Sequence, residues 1–426
     1  MTTVLVVTAF LAAYVLIATE RIHRVAAALW GAAAMVVLGA AGSQSAFFSE
    51  ETGIDWNVIF LLLGMMVIVG IVKQTGVFEF VAIWAAKRAR GRPFVVMVML
   101  IVLTAVASAL LDNVTTVLLV APVTLLVCER IGTPVVPFLL AEAMASNIGG
   151  TATLIGDPPN IIISGRSGLS FNDFVLNLGP VVVVLLLVFI ALAWLLWGRR
   201  MSVDPERAAS VMDLNEREAI QDKRLLVQCG VVLALVLGGF VLRPVVGLEP
   251  SLVALLGAGL LVALSRSEPR VYLHEVEWST LVFFGGLFVM VGGLVHVGVV
   301  ESVGQYAAGA VGDNKLLANS VLLLGSGVVS GIVDNIPYVA TMGPIVEQLV
   351  VAPNSLDPSL WWSLALGADL GGNMTAVGAS ANVVILGIAA RNGVPISFWR
   401  FTRDGLVVGT VTLLVAWGYV LLRYGG

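Results

Sequence analysis

Charged residues are scarce in this chain of 426 residues, since Asp, Glu, Lys and Arg together make up only 12% of it. Hydrophobic residues make up 59%, and the mean hydropathy is +1.00. One soluble core cannot bury that much apolar surface. Uncharged stretches such as 56–72, 173–197 and 278–295 are long enough to cross a bilayer as helices. The composition therefore predicts an all-α polytopic membrane protein.

Cysteine and histidine are also rare. The two cysteines, Cys128 and Cys229, are far apart and form no CxxC pair, so neither a disulfide framework nor a thiolate metal site is indicated. The three histidines, His23, His274 and His296, lie outside the polar segments described below, so a histidine proton relay is not expected. The sequence also lacks GxxxxGK[ST] and HExxH motifs. We therefore predict no enzyme, no cofactor, no metal, no nucleic-acid partner and no ATP motor within the chain.

Basic residues are placed unevenly along the chain. If the N-terminus lies outside and the chain crosses at each apolar segment, apart from two excursions that enter and leave on the same side, all Lys and Arg except Arg166, Arg243, Lys315 and Arg423 fall inside. The positive-inside rule requires such an asymmetry. We predict a multi-pass protein of the cell (inner) membrane with both termini outside.

The sequence repeats itself at an offset of 222 residues, the separation of Asp112 from Asp334. Gly, Pro and polar positions match at this offset, which apolar composition alone would not produce. The matched pairs include Trp56 and Trp278, Gly149 and Gly371, Gly150 and Gly372, Thr153 and Thr375, and Asn160 and Asn382. Each half holds an odd number of candidate crossings, so the second copy is expected to be inverted in the bilayer.

We therefore predict two inverted repeats, each with five spans, a re-entrant hairpin and a broken helix. The predicted order is a first repeat (1–197) with scaffold 3–41 and transport part 93–165, a solvated cytoplasmic linker (198–226), and a second repeat (227–426) with scaffold 227–264 and transport part 316–390. The scaffold segments are distinguished by their lack of buried polar residues.

Each repeat places an acid and an amide in the middle of a long apolar run, in "LLDNVTTVLLVAP" from Leu110 and in "IVDNIPYVATMGP" from Ile332. The apolar arms on both sides predict a re-entrant hairpin with the polar pair at its tip. Non-helical backbone at membrane depth is tolerated only where protein or a water-filled cavity surrounds it. The two tips are therefore expected to line a cavity.

A second polar element follows in each repeat, "ASNIGGTATLIGDPPNIII" from Ala145 and "ADLGGNMTAVGASANVVIL" from Ala368. Paired glycines, hydroxyls and amides there predict spans that unwind midway and turn helix ends inward, as in transporter sites near the bilayer midplane. One tip and one broken helix from each half are expected to meet at a central site.

Buried carboxylates are the candidates for proton or ion coupling, because each costs about 2.5 to 3.5 kcal/mol at the centre of a membrane helix. The coupling candidates are Asp112, Asp157, Asp334 and Asp369. Helix capping remains an alternative role for them. The repeat gives Asp157 the counterpart Ala379 and gives Asp369 the counterpart Asn147. Such unequal acids indicate two different occupants, one of them a coupling ion.

The candidates for substrate binding are the amides, hydroxyls and glycines of the tips and breaks. They are Asn113, Thr115, Asn147, Gly149, Gly150, Thr151, Asn335, Gly371, Gly372, Asn373 and Thr375. Capping by Asn, back-bonding of Thr to a helix carbonyl and close packing at Gly remain open alternatives. Segments 104–127, 138–165, 316–350 and 361–390 contain no Lys, Arg or His. That absence disfavours organic anions and favours a neutral polar solute or a cation.

The stretches "SALLDNVTTVLLVAPVTLLVCERIG" and "SGIVDNIPYVATMGPIVEQL", with the Gly-Asp-Pro-Pro-Asn run between them, resemble the ion transporter superfamily. More narrowly, the chain is similar to the arsenical pump membrane protein group and to the melanosomal P protein. Dicarboxylate transporters of the superfamily have Ser-Asn-Thr tips. This chain has Asp112-Asn113-Val114 and Asp334-Asn335-Ile336 instead, which argues against sodium-coupled dicarboxylate uptake.

The resemblance implies an elevator-type secondary transporter whose hairpins and broken helices move against the scaffold. It implies proton-coupled efflux of arsenite and antimonite, which are uncharged trihydroxides at neutral pH, and hence a role in arsenic resistance. A sodium/proton antiporter is the alternative, and an anion channel or dicarboxylate transporter is less favoured. A separate cytoplasmic ATPase and a homodimer formed through the scaffold are further partners that the resemblance leaves open.

Overall fold

The computed structural model describes all residues except 1, 20, 50, 203–211, 213, 214, 267, 313, 352–356 and 426. Part of the predicted linker 198–226 therefore lies outside the described residues. Those that are described form α-helices, two 3₁₀ turns and loops, without any β-strand. The all-helical prediction is confirmed.

The first half begins with three helices of the predicted scaffold and its outer loop, and continues with seven more. They are α1 (Thr2–Thr19), α2 (Arg24–Val37), α3 (Ser43–Phe47), α4 (Trp56–Lys73), α5 (Val77–Arg88), α6 (Pro93–Leu110), α7 (Asn113–Ile131), α8 (Val136–Gly150), α9 (Pro158–Ser167) and α10 (Phe171–Leu196). The 3₁₀ turns Gly198–Arg200 and Glu216–Ala219 belong to the linker.

The second half has eleven helices in its described residues, two of them very short. They are α11 (Lys223–Val241), α12 (Arg243–Val246), α13 (Pro250–Ser265), α14 (Pro269–His274), α15 (Trp278–His296), α16 (Val299–Val311), α17 (Lys315–Ser330), α18 (Asn335–Val351), α19 (Leu360–Gly371), α20 (Ser380–Arg391) and α21 (Phe398–Tyr424).

Equivalent helices of the two halves begin at positions that differ by the same 222 residues as the sequence repeat. The pairs of first residues are Trp56 and Trp278, Val77 and Val299, Pro93 and Lys315, Asn113 and Asn335, and Pro158 and Ser380. The repeated sequence therefore forms a repeated series of helices. Their opposite orientation in a bilayer stays a prediction.

Within the described residues, eight helices are long and apolar enough to cross a membrane, namely α1, α4, α6, α7, α10, α11, α15 and α21. α10 exposes apolar side chains such as Leu176, Val183 and Leu187, each more than 60% accessible. Such a surface suits lipid and not water. Because α6 and α7 are each long enough to span by themselves, the re-entrant hairpin also stays a prediction.

The two halves pack on each other through close helix contacts at glycine. A Cβ on Gly64 of α4 would lie 2.8 Å from the carbonyl carbon of Ala254 on α13, and a Cβ on Gly286 of α15 would lie 3.0 Å from that of Ala28 on α2. Glycine is needed at both positions because a side chain would push the backbones apart. α4 and α15 therefore each pack on a predicted scaffold helix of the other half.

The helix is interrupted once in each half where the paired glycines occur. The first break (151–157) separates α8 from α9, and the second break (372–379) separates α19 from α20. Pro158 and Pro159 begin α9 at positions where a missing N–H costs least. The second break has no proline, so the prolines are not what interrupts the helix in both halves.

Asparagine side chains replace the backbone hydrogen bonds that the breaks lose. Asn160 donates through Nδ2 to the carbonyls of Gly150 (3.3 Å) and Thr153 (3.0 Å). Asn382 donates in the same way to Gly372 (2.7 Å) and Thr375 (2.9 Å). Since buried carbonyls need partners, these two amides stabilise the unwound backbone.

Candidate functional site

The first tip, Asp112-Asn113, lies between α6 and α7 and is buried. Asp112 accepts a hydrogen bond from the Thr115 backbone N–H (2.7 Å) and another from the Thr115 hydroxyl (2.5 Å). This is the geometry of a helix N-cap. Asp112 and Thr115 are therefore brought together as a capping pair, and their coupling and binding roles stay predictions.

The second tip, Asp334-Asn335, lies between α17 and α18. Asp334 accepts from the Ile336 N–H (3.0 Å), which caps α18, and from the Ser380 hydroxyl (2.8 Å). Ser380 is the first residue of α20, directly after the second break. The second tip is thus linked to the second break, whereas the Asp112 carboxyl bonds within its own tip.

The asparagines of the two tips meet at one carboxylate. Asn113 donates through Nδ2 to Asp157 Oδ2 (2.8 Å), and Asn335 donates to both oxygens of Asp157 (3.3 and 3.4 Å). Asp157 is fully buried at the end of the first break. The structure therefore brings both tips together at the centre of the protein.

A chain of amides joins the two breaks. Asn113 also donates to Asn147 Oδ1 (3.1 Å), and Asn147 donates to Asn373 Oδ1 (3.0 Å) and Asn382 Oδ1 (3.2 Å). We call Asn113, Asn147, Asp157, Asn335 and Asn373 the polar centre. All five are buried and were predicted from the sequence.

Asp369 lies beside this centre without a hydrogen bond of its own. It is fully buried, and neither of its carboxyl oxygens has a hydrogen-bond partner among the described residues. The Thr151 hydroxyl and the Asn160 amide are close enough to act on the carboxyl, but neither has hydrogen-bond geometry with it. Their donor groups are committed to backbone carbonyls, Thr151 to Asn147 at 2.8 Å and Asn160 to Thr153 at 3.0 Å. A buried carboxylate without partners is costly unless a proton or a cation accompanies it.

The predicted glycines contact protein backbone. A Cβ on Gly149 would lie 2.2 Å from the Ala105 oxygen, and one on Gly371 would lie 2.4 Å from the Gly327 oxygen. The next glycines, Gly150 and Gly372, approach Gly156 and Gly378 in the same way. These contacts correspond to the alternative reading of close packing, so solute binding at these glycines stays a prediction.

The predicted hydroxyls also bond to backbone. Thr151 donates to the Asn147 carbonyl one turn back, and Thr375 donates to the Gly331 carbonyl at the end of α17 (2.6 Å). Both bonds hold a residue of a break in place, and a role for these hydroxyls in solute binding stays a prediction.

A cavity of about 530 Å³ leads from the surface to the second tip. We call it the open cavity. Its polar lining comes from Arg24, Glu277, Ser279, Asp334 and Ser380, with His23 at its rim. The predicted topology places its mouth on the inside.

Arg24 corrects one expectation drawn from the sequence. Its guanidinium donates to the Ser380 hydroxyl (2.6 Å) and lies 3.8 Å from Asp334 Oδ2. The absence of Lys, Arg and His from the predicted site segments therefore does not mean that the site lacks a cation.

The expectation that the scaffold segments hold no buried polar residue is wrong for segment 227–264, which contains the buried Ser251. Arg24, in segment 3–41, is only partly buried. His23 borders the site and does not lie outside it.

A smaller cavity, of about 230 Å³, occupies the equivalent place near α4 and α9. There a Cβ on Gly165 would come within 2.3 Å of Asp55 Oδ2, so the two helices are in contact. The equivalent residues of the second half are Gly387 and Glu277, and Gly387 has only the Arg391 side chain nearby, at 3.5 Å. The cavity beside α4 and α9 is thus smaller than the open cavity, and its helices are in closer contact.

Three residues of the candidate site besides Arg24 were missed by sequence reasoning. Ser380 links the second tip to α20, and Asn160 and Asn382 hold the two breaks. The two asparagines match at the repeat offset, which was the available signal for them.

A polytopic helical fold with buried acids and amides, reached by a cavity from one side, defines a membrane transporter. The chain belongs to the citrate transporter family (CitMHS), whose model matches residues 14–367. The resemblance to the ion transporter superfamily is confirmed.

Related proteins agree with this class. An uncharacterised transporter of Mycobacterium tuberculosis (strain ATCC 25618 / H37Rv) is 57% identical over 424 residues, covering 99% of both chains. A 46 kDa membrane protein of Mycobacterium leprae (strain TN) is 54% identical over 423 residues, again covering 99% of both. The human P protein is 34% identical over 504 residues, which cover 99% of this chain and 60% of that protein.

The fold is similar to that of a solved transporter. The crystal structure of the YdaH transporter of Alcanivorax borkumensis matches with a TM-score of 0.60, covering 86% of this chain and 85% of the other. The sequences are only 14% identical, so this likeness concerns the fold alone.

Proposed function

We propose that the protein exports trivalent arsenite and antimonite in exchange for protons, by an elevator movement of its transport parts against the scaffold. The observation that carries the proposal is the Asp369 carboxyl, which is buried without a hydrogen-bond partner among the described residues. Such a group needs a proton or a cation beside it. It is therefore a suitable carrier for a coupling proton.

The polar centre supports an uncharged solute. Its groups are amides and a carboxylate that already accepts from two of those amides, Asn113 and Asn335. The nearby cation, Arg24, is paired with Asp334. A neutral trihydroxide can exchange hydrogen bonds with amides, whereas a citrate trianion would face Asp157, Asp334 and Asp369.

The energetics are sufficient for export. One charge moving inward across the membrane provides about 2.3 kcal/mol per 100 mV. That corresponds to roughly a 50-fold outward gradient of a neutral solute. The contact between α4 and α9 at the smaller cavity, together with the open cavity at the second tip, fits one end state of an elevator cycle.

Citrate is the second candidate, because the family model is described as a citrate transporter and Arg24 lines the open cavity. A guanidinium could bind a carboxylate if Asp334 released it. A sodium/proton antiporter that uses the same acids is the third.

Proton movement in proteoliposomes tests the proposal. A pH-sensitive dye inside the vesicles would follow the response to arsenite, antimonite, citrate or sodium added separately. We expect arsenite and antimonite to drive proton flux in the parent protein, and Asp369→Asn to abolish it. Glu129→Gln, an equal change at an exposed carboxylate, is the control and should keep the flux. Arsenite-driven flux that persists after Asp→Asn at 112, 334 and 369 together, or flux driven only by citrate or sodium, would refute the proposal.

A further inference from the structure

Arg24 connects two regions that the predicted mechanism requires to move apart. It is the first residue of α2, in the predicted scaffold, and α2 packs on α15. Its guanidinium donates through Nη1 to Ser380 Oγ (2.6 Å), and Ser380 donates to Asp334 Oδ2 (2.8 Å). Ser380 and Asp334 both belong to the predicted transport part. The Ser380 hydroxyl therefore lies in a hydrogen-bonded chain from the guanidinium to the carboxylate.

A second chain of the same kind links Arg24 to α15, the helix on which α2 packs. Arg24 Nη2 donates to Thr280 Oγ1 (3.4 Å), and the Thr280 hydroxyl donates to Glu277 Oε2 (2.9 Å). Arg24 also lies 5.5 Å from the ring centre of Phe283 on α15. The contacts with Thr280 and Phe283 lie on α15 and would stay with α2 if the transport part moved. Only those with Ser380 and Asp334 would break.

We propose that Arg24 is a positioning residue that holds the second tip and the start of α20 at the open cavity while Asp334 is charged, and releases them when Asp334 takes up a proton. The inference rests on the proposed elevator function, and it adds a residue to the proton-sensitive part of the cycle. In this scheme the proton comes from the cavity, and no covalent bond changes.

The link must depend on charge because of its geometry. Arg24 and Asp334 lie 3.8 Å apart with side chains 29% and 19% exposed, so their attraction is only partly screened by solvent. When Asp334 is neutral, the attraction is lost and only the neutral hydrogen bonds through Ser380 remain, which are weaker than charge-assisted ones. The open state would then lose part of what stabilises it relative to a closed state.

Other charged and titratable groups face Asp334 or the same cavity. Besides Arg24, they are His23 and Glu277 at the cavity, Tyr14 from α1, Tyr338 from α18, and Asp157 from the first break. His23 is the one histidine among these groups, and histidine is the residue type that most often acts as a pH switch. A test of the proposal must therefore separate its effect from that of Asp334.

Thiol labelling of the open cavity provides the test without any transported solute. Val383 lines this cavity, and Ser202 is exposed in the linker. Val383→Cys would be labelled in the purified protein from about pH 8 to about pH 4, a range that includes the ordinary pKa of His and reaches that of Asp, about 3.9. The labelling rate of the Val383→Cys variant is divided by the labelling rate of the Ser202→Cys variant. This normalisation removes the pH dependence of the thiol reaction itself. The native cysteines, Cys128 and Cys229, are buried, and the parent protein measures their background.

We expect the normalised rate to fall as the pH is lowered, because release of the second tip favours closure. In Arg24→Gln the rate should already be low at high pH, by about two- to fivefold, as for a partly exposed ion pair. Asp334→Asn should give the same low rate, and the double variant should add nothing further. Arg24→Lys should restore part of the pH dependence, since it keeps the charge but not the two-hydroxyl geometry.

The controls keep the result decisive. His23→Gln should leave the pH dependence in place. If Arg24→Gln does not fold, Ser380→Ala interrupts the same chain and should also lower the rate at high pH. Unchanged rates in Arg24→Gln or Ser380→Ala, or a pH dependence abolished by His23→Gln, would overturn the proposal. The test measures neither arsenite flux nor proton flux. It can therefore fail while the proposed function stands, and it can succeed while the flux experiment fails.

Discussion

In the first break, Asp157 accepts hydrogen bonds from both tips, whereas Ala379, its equivalent in the second break, has no side chain that could do so. One helix earlier in each half, the acid is in the second half and the amide is in the first. Asn147 of α8 is hydrogen-bonded to three other asparagines, and its equivalent in α19, Asp369, has no hydrogen-bond partner in the described part of the chain. The two halves therefore share a backbone but not a distribution of charge.

This difference separates the residues that shape the backbone from the residues that carry charge. The features that build the breaks are duplicated, since Asn160 and Asn382 bond to the same kinds of carbonyls and Gly149 and Gly371 make the same close contacts. The tip acids Asp112 and Asp334 are duplicated, but the buried acids Asp157 and Asp369 are not. A symmetric frame can support alternating movement, whereas the unequal acids distinguish the two occupants that a coupled transporter needs.

The largest effect is expected from Asp157→Ala. It leaves the Asn335 amide without its buried acceptor, which costs about 1 to 3 kcal/mol, and it disconnects the two tips. We expect transport to fall at least about tenfold, as for the loss of one charge-assisted contact. The matched change Ala379→Gly, also a truncation, should lower stability by about 1 kcal/mol or less. Thermal unfolding and flux measured together check this, and equal effects at both positions would remove the proposed asymmetry.

The second comparison concerns Asp369 and Asn147. Asp369→Asn removes a buried carboxyl that has no described hydrogen bond, so stability should stay the same or rise by about 1 kcal/mol. Asn147→Ala breaks three hydrogen bonds and should cost about 1 to 3 kcal/mol. Denaturation in detergent measures both. A loss of stability in Asp369→Asn as large as that in Asn147→Ala would mean that Asp369 is a structural residue.

The duplicated backbone should respond equally in both halves. Gly149→Ala and Gly371→Ala each place a Cβ within 2.4 Å of a backbone oxygen, so each should lower stability by about 1 to 3 kcal/mol. Gly325→Ala, where nothing lies within 4 Å of the added carbon, is the control and should be neutral. Markedly unequal effects of the first two changes would weaken the repeat as a structural description.

The smallest effect concerns the linker, which contacts the first half at α5. Lys87 donates to Glu216 (2.7 Å) and thereby lowers the pKa of the Glu216 carboxyl. A lowered folded-state pKa stabilises the contact above the ordinary Glu pKa of about 4.3, and this contribution disappears as the pH falls through the lowered value. Limited proteolysis near 216–219 should therefore accelerate at acid pH, and Lys87→Gln should accelerate it at neutral pH too. Identical cleavage of parent and variant at neutral pH would argue against the contact.

Much of this architecture could be predicted from the sequence because the relevant signals are local or periodic. Apolar runs indicated the helices, paired glycines indicated the breaks, and the offset of 222 residues indicated which elements correspond. The convergence of Asn113, Asn147 and Asn335 followed from placing one tip and one break from each half together. Hydrophobic burial and the need to pair backbone groups in lipid leave few alternatives to such an arrangement.

Only the tertiary structure decided which side chains complete the site. Arg24 and Ser380 are 356 positions apart, and their contact depends on how α2 packs on α15 beside the second tip, which no local pattern encodes. The same holds for Asp369, whose lack of partners results from Thr151 and Asn160 bonding to the backbone instead. The sequence by itself determined the helices, their breaks and their duplication. The partners of each buried charge depend on packing distances of a few ångströms, and these arise only when both halves are assembled.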